Sequence, residues 1–121
     1  MALKTYRELV VWQKADLVVE VYQLARKFPP VEKFGLTSQV CRSAVSIPAN
    51  IAEGYGRTHR GDYLHHLSIA RGSLMEVETH LTLAARLKLV DRDQVLPSWG
   101  LSQQVGQLLT RLIKSLDKRR D

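Results

Sequence analysis

With 121 residues, 45% hydrophobic and 25% charged, the chain has the composition of one cooperative globular domain, which excludes disorder and leaves no room for a second domain. No stretch approaches the ~20 apolar residues of a membrane span, Met1 to Tyr6 lack the apolar core of a signal peptide, and the single cysteine, Cys41, excludes an intramolecular disulfide, so a cytoplasmic protein is expected. Eighteen Lys and Arg against 12 Asp and Glu, a formal charge of +6, favour nucleic acid or other acidic partners through counterion release, with a merely solubilising surface as the alternative.

From Leu9 to Phe28 there is no Gly or Pro, and apolar residues form two stripes at helical spacing. One is Val11, Ala15, Val18, Tyr22 and Ala25; the other is Val10, Leu17, Val21, Leu24 and Phe28. With Trp12 and Val19 they make an apolar arc broader than one bundle neighbourhood needs, which predicts a subunit interface or crowding by neighbours on both sides. Pro29 and Pro30 end this first helix.

A second helix is predicted from Leu36 or Thr37 to Glu53, stopped by Gly54 and kinked between Ser46 and Asn50 by Pro48, whose ring presses on the Ala44 carbonyl. Thr58 is the predicted cap of a third helix with a regular seam: Tyr63, Leu67, Ala70, Leu74, Val77, Leu81 and Ala84. Asp91 to Gln94 resembles a capping start for a fourth, carrying Leu101, Val105, Leu108, Leu112 and Leu116 and ending in a basic tail. Helices over 9–28, 37–53, 59–88 and 92–118 joined by short connections predict an all-α fold: a single antiparallel up-down-up-down four-helix bundle over 1–121 that assembles as a homo-oligomer.

Catalytic chemistry finds little support. A di-iron bundle needs inward Glu residues and a Glu-x-x-His pair on each of two helices; Asp62-x-x-His65 and Glu76-x-x-x-His80 have no such partners, and His59, His65, His66 and His80 read as surface groups. The serines lack a nucleophile-elbow setting, and Gly54-x-Gly56 ends a helix where a phosphate-binding loop would begin one. No catalytic, metal or cofactor site is expected. The polar residues of the bundle middle, Arg42, Ser46, Asn50 and Glu53 with Arg71, Glu76 and Glu78, predict either a solvated strip or a network joining helices or subunits.

Three strings carry a family resemblance. Phe34-Gly35-Leu36-Thr37-Ser38-Gln39 leads into Arg42-Ser43-Ala44-Val45-Ser46-Ile47-Pro48-Ala49-Asn50-Ile51-Ala52-Glu53-Gly54, and Ala70-Arg71-Gly72-Ser73-Leu74-Met75-Glu76 follows. Over Leu9 to Val90 the chain resembles the four-helix-bundle proteins encoded in intervening sequences of 23S rRNA genes. It is distantly similar to the accessory variability determinant of diversity-generating retroelements, a basic pentamer that works with a reverse transcriptase and nucleic acid. The resemblance implies a homopentamer and no particular activity. Together, charge and resemblance lead to the expectation of a non-enzymatic oligomeric nucleic-acid-binding or adaptor protein. RNA or DNA phosphates would be met by Arg57, His59 and Arg60 at the turn and by Lys114, Lys118, Arg119 and Arg120 at the tail. The alternative is a protein-binding scaffold.

Overall fold

The computed structural model describes residues 6–117, apart from the side chain of Glu8. Every regular element among them is helical: a 3-10 turn at Tyr6–Glu8, a single-turn helix α1 (Val10–Gln13), α2 (Asp16–Ala25), a 3-10 turn at Pro30–Glu32, then α3 (Leu36–Tyr55), α4 (Arg60–Arg86) and α5 (Arg92–Asp117). The most extensive packing is of α3 on α4; α5 lies against α4 and α2, and α2 against α3, so the four long helices enclose one core.

The first helix is broken, against the expectation of a continuous 9–28 element. Ala15 N–H donates to the Trp12 carbonyl at 2.9 Å, Leu17 to Lys14 at 3.1 Å and Val18 to Ala15 at 2.8 Å, all three-residue bonds. Such a turn advances about 120° per residue instead of about 100°. Val11 and Leu17 would lie roughly 120° apart on an unbroken α-helix. The tightened turn closes that angle, and both are buried. Leu17, Val21, Leu24 and Phe28 of the second stripe form the core face with Ala25 of the first, whereas Val10, Tyr22 and the added Val19 point outward, 55%, 41% and 56% exposed.

Helix α3 begins at Leu36, whose N–H donates to Glu32 Oε1 of the preceding turn at 3.2 Å. It runs through Pro48 as one element and also through Gly54, which does not stop it. Gly54 is buried in the last turn, where a Cβ would stand 2.8 Å from His66 Cβ and 3.2 Å from the Tyr63 carbonyl oxygen. Absence of a side chain is what lets α3 and α4 approach there. Gly56 caps the helix.

Helix α4 starts after His59, not Thr58: His59 is the cap residue with extended backbone and makes no side-chain cap bond. Its predicted seam holds, with Leu67, Ala70, Leu74, Val77, Leu81 and Ala84 fully buried and Tyr63 half-buried. At its far end Leu89 N–H donates to the Ala84 carbonyl and Lys88 N–H to Ala85, a Schellman closure that places Lys88 at φ 59°. Gln94 Oε1 then accepts from Asp91 N–H at 2.8 Å while Gln94 N–H donates to the Asp91 carbonyl, the capping start read from the sequence. In α5 the core line is Val95, Ser98, Ser102, Val105, Leu109 and Leu116; Leu101, Leu108 and Leu112 are half-buried flanks. Two buried serines on the inner face misled the reading from leucines alone. Ser102 Oγ meets its need locally, donating to the Trp99 carbonyl at 2.7 Å.

Candidate functional site

The end of the bundle that holds the α3–α4 turn also holds the C-terminal end of α5. Arg60, in the first turn of α4, reaches across and donates from Nη1 to the Leu116 carbonyl oxygen at 3.2 Å, 56 positions away in sequence. That carbonyl belongs to the last turn of α5, whose acceptors have no helical partner and whose dipole favours a cation. Residues of the α3–α4 turn therefore become spatial neighbours of the last turn of α5. Arg57, Thr58, His59, Arg60, Tyr63 and Leu116 line an open cleft of about 330 Å³. Within it Arg57 Nη2 is engaged by Glu53 Oε1 at 2.8 Å, while the His59 side chain is exposed.

Lys114 faces elsewhere. Two residues from Leu116 it is turned about 200° round α5, into the α4–α5 groove beside Arg71 and Arg111, in a cleft of about 480 Å³ that Glu78 also lines. Burial pushes the Glu78 carboxyl above its ordinary range. Arg111 was not among the expected contacts; its i, i+3 spacing to Lys114 is the signal that marks the two as one strip. Lys118, Arg119 and Arg120 lie outside the described residues. The fold thus sets Arg57, His59 and Arg60 in one basic cleft and Arg71, Arg111 and Lys114 in a neighbouring one.

The polar residues between α3 and α4 form a shorter chain than expected. Asn50 Nδ2 donates to both the Ser46 carbonyl and Ser46 Oγ, at 2.9 and 3.0 Å, and Ser73 Oγ on α4 donates to Ser46 Oγ at 2.8 Å. With its amide so committed, Asn50 offers Oδ1 to His66 Nδ1 at 3.1 Å, which assigns the ring proton to Nδ1. His66 Nε2 then looks toward Glu53 Oε1 at 3.9 Å. His66, read as a surface group, is instead a half-buried bridge, and its position three after Tyr63 and four before Ala70 is what places it beside the seam.

Arg42, Arg71, Glu76 and Glu78 do not join this chain and form no ion pair among the described residues. Steps of four drift about 40° each, so Arg42 stands some 80° from Asn50 round α3 and faces solvent. Glu76 lies about 60° off the Ser73 direction and is exposed; Arg71 and Glu78 turn toward α5. No group of three His, Cys, Asp or Glu side chains among the described residues could hold a metal ion, and no described helix is long and apolar enough to cross a membrane. Cys41 is half-buried, and burial raises its thiol above the ordinary range, which disfavours the reactive thiolate.

No curated protein matches the chain. Among solved structures it is similar to the crystal structure of a protein of unknown function from the S23 ribosomal protein family of Bacteroides thetaiotaomicron. The two are 30% identical and superpose with a TM-score of 0.80, over 87% of this chain and 99% of that one. The family model of the 23S rRNA-intervening sequence protein matches residues 7–111, past Val90 and through most of α5. Helical architecture, the α3–α4 strings and this coverage agree: the chain belongs to the 23S rRNA-intervening sequence protein family.

Proposed function

We propose that the protein is a non-enzymatic, oligomeric nucleic-acid-binding or adaptor protein of the cytoplasm that contacts RNA or DNA through phosphates. The observation that carries this reading is the Arg60–Leu116 hydrogen bond, because it gathers the basic turn and the end of α5 at one end of the bundle. Arg57, His59 and Arg60 supply one patch and Lys114, with Arg111 and Arg71, the next. Neither cleft carries an aromatic platform other than the half-buried Tyr63, so the contact is to backbone charge and shape, not base sequence.

Self-association is part of the proposal. Val19, Tyr22 and Val45 open an apolar patch on the α2–α3 surface, 56%, 41% and 42% exposed, which a second copy would cover. A ring of five such subunits, each an antiparallel up-down-up-down bundle bent at Pro48, would repeat the basic end and turn weak phosphate contacts into avidity.

Filter binding of structured RNA and duplex DNA at stepped salt tests the reading. Retention should fall steeply with salt, His59→Gln with Lys114→Gln should weaken it, and loss of the Lys114 charge should flatten the slope by about one unit. Absence of retention at low salt, or retention indifferent to salt, would refute it. Native mass spectrometry of nuclease-treated material reads the subunit count, and Val19→Glu with Tyr22→Glu should lower it.

A further inference from the structure

The α4–α5 groove changes character toward the opposite end of the bundle. There it holds a separate cleft of about 510 Å³, within the roughly 300–1,000 Å³ of ordinary ligand sites. Its apolar lining comes from Leu81, Ala85, Val95 and Leu96, and its wall is the half-buried Trp99. Leu96 is 53% exposed in the open groove. At the rim stand Arg86, in the last turn of α4, and Arg92, in the first turn of α5. Neither guanidinium pairs with an acid among the described residues, although Asp91 and Asp93 flank Arg92 on the same turn.

We propose that this groove docks an acidic amphipathic peptide segment of another protein, apolar side chains on the Val95–Trp99 floor and carboxylates over Arg86 and Arg92. The pairing of an apolar floor with two unpartnered guanidiniums calls for a partner that is apolar and anionic at once. A nucleobase fits poorly. Four of the groove's five apolar lining residues, Leu81, Ala85, Val95 and Leu96, are aliphatic, and Trp99 alone offers a face for a base to stack on. Self-association as proposed above uses the α2–α3 face of Val19, Tyr22 and Val45, which leaves the α4–α5 groove to another occupant. Arg86 is 26 residues along α4 from Arg60, about 39 Å at 1.5 Å per residue. Peptide and nucleic acid can therefore be held together, one at each end, and the groove stands whether or not the basic end binds nucleic acid.

Trp12→Phe leaves Trp99 as the only tryptophan, so its fluorescence reports the groove. The probe is a synthetic helical peptide with Leu at i and i+4 flanked by Glu, beside its Lys-flanked counterpart, 3-phenylpropionate and a single-stranded oligonucleotide. A saturable Trp99 response is expected for the Glu peptide, at least tenfold weaker for the Lys peptide, on the order of the sign reversal of two ion pairs. Arg86→Gln and Arg92→Gln should each weaken it about fivefold. Ala85→Leu should fill the groove and abolish the response with helicity and subunit count unchanged. His59→Gln with Lys114→Gln should leave it intact, which separates this site from the nucleic-acid reading. The proposal is overturned by no saturable response, by equal binding of Lys and Glu peptides, by tighter binding of oligonucleotide or phenylpropionate, or by an altered subunit count in Ala85→Leu.

Discussion

Gly54→Ala puts the α3–α4 contact to a test in which two physical effects oppose. In a helix, alanine is favoured over glycine by about 1 kcal/mol, less in a last turn, so propensity alone predicts a more stable protein. The added Cβ would stand 2.8 Å from His66 Cβ, 3.0 Å from Tyr63 Cδ1 and 3.2 Å from the Tyr63 carbonyl oxygen. Carbon atoms rest at about 3.5–4.0 Å, and neither His66 Cβ nor a backbone oxygen can rotate aside. The helices must therefore part by about 0.7 Å, which also stretches the Asn50–His66 bond one turn away. Overpacking of this kind costs about 1–3 kcal/mol. After subtraction of the propensity gain, a net loss of roughly 0.5–2 kcal/mol remains, a fall of about 2–10 °C in Tm for a domain this size. Thermal unfolding by circular dichroism, at one fixed protein concentration, measures it. Gly72→Ala, where nothing lies within 4 Å of the added carbon, should move the other way by about 0.5–1 kcal/mol. A Gly54→Ala protein as stable as the parent would refute the account of α3–α4 packing.

Three further outcomes follow from single residues. Burial, and secondarily the charge of Tyr55, push the Tyr63 phenol up to about 12 from an ordinary value of 10, and its hydroxyl is buried with no hydrogen-bond partner. Because the folded state holds this proton more tightly than the unfolded one, its contribution is complete below pH 10 and is lost as pH rises toward 12; tyrosinate absorbance should show one late-titrating tyrosine. Tyr63→Phe should remove that late phase and be neutral or up to about 1 kcal/mol stabilising near pH 7, by urea denaturation. Lys88→Gly should stabilise by about 0.5–1 kcal/mol, since Lys88 occupies the left-handed region at φ 59° that costs a side chain about 1–2 kcal/mol. Asn50→Ala should cost about 1–3 kcal/mol by leaving Ser46 and His66 short of partners, and a double-mutant cycle with Ser73→Ala should show coupling above about 0.5 kcal/mol.

The α4 seam was legible because seven apolar residues from Tyr63 to Ala84 keep helical spacing without interruption, and that spacing is a direct projection of burial. The break at Lys14 and Ala15 was not legible: no Gly or Pro marks it, and it exists because Val11 and Leu17 must face one core. In α5 the period was present, but Ser98 and Ser102 stand on the inner line where a reading by residue type looks for leucine. Ser46 and Asn50 were picked out by their four-residue step. His66 escaped because a lone histidine on a helix carries no local mark of what faces it, and Arg42 and Glu76 take the solvated alternative because a four-step row drifts off the face where it begins. Glycine in Gly54 was read as a stop signal when its role is steric, a distinction visible only once α4 is in place.

The hydrogen bonds from Ser73 to Ser46 and from Asn50 to His66 have a consequence for exchanging parts among relatives. Sliding α4 along α3 by one turn, about 5.4 Å, would part both pairs at once while leaving aliphatic contacts to re-form. The bonds act as a key for helix pairing, and its two halves lie on different helices. A chimera that takes α3 alone from a relative inherits half a key and should fold poorly unless the matching serine and histidine are present. One that takes α3 and α4 together carries its own register, so the natural unit of transplantation in this domain is the helical hairpin.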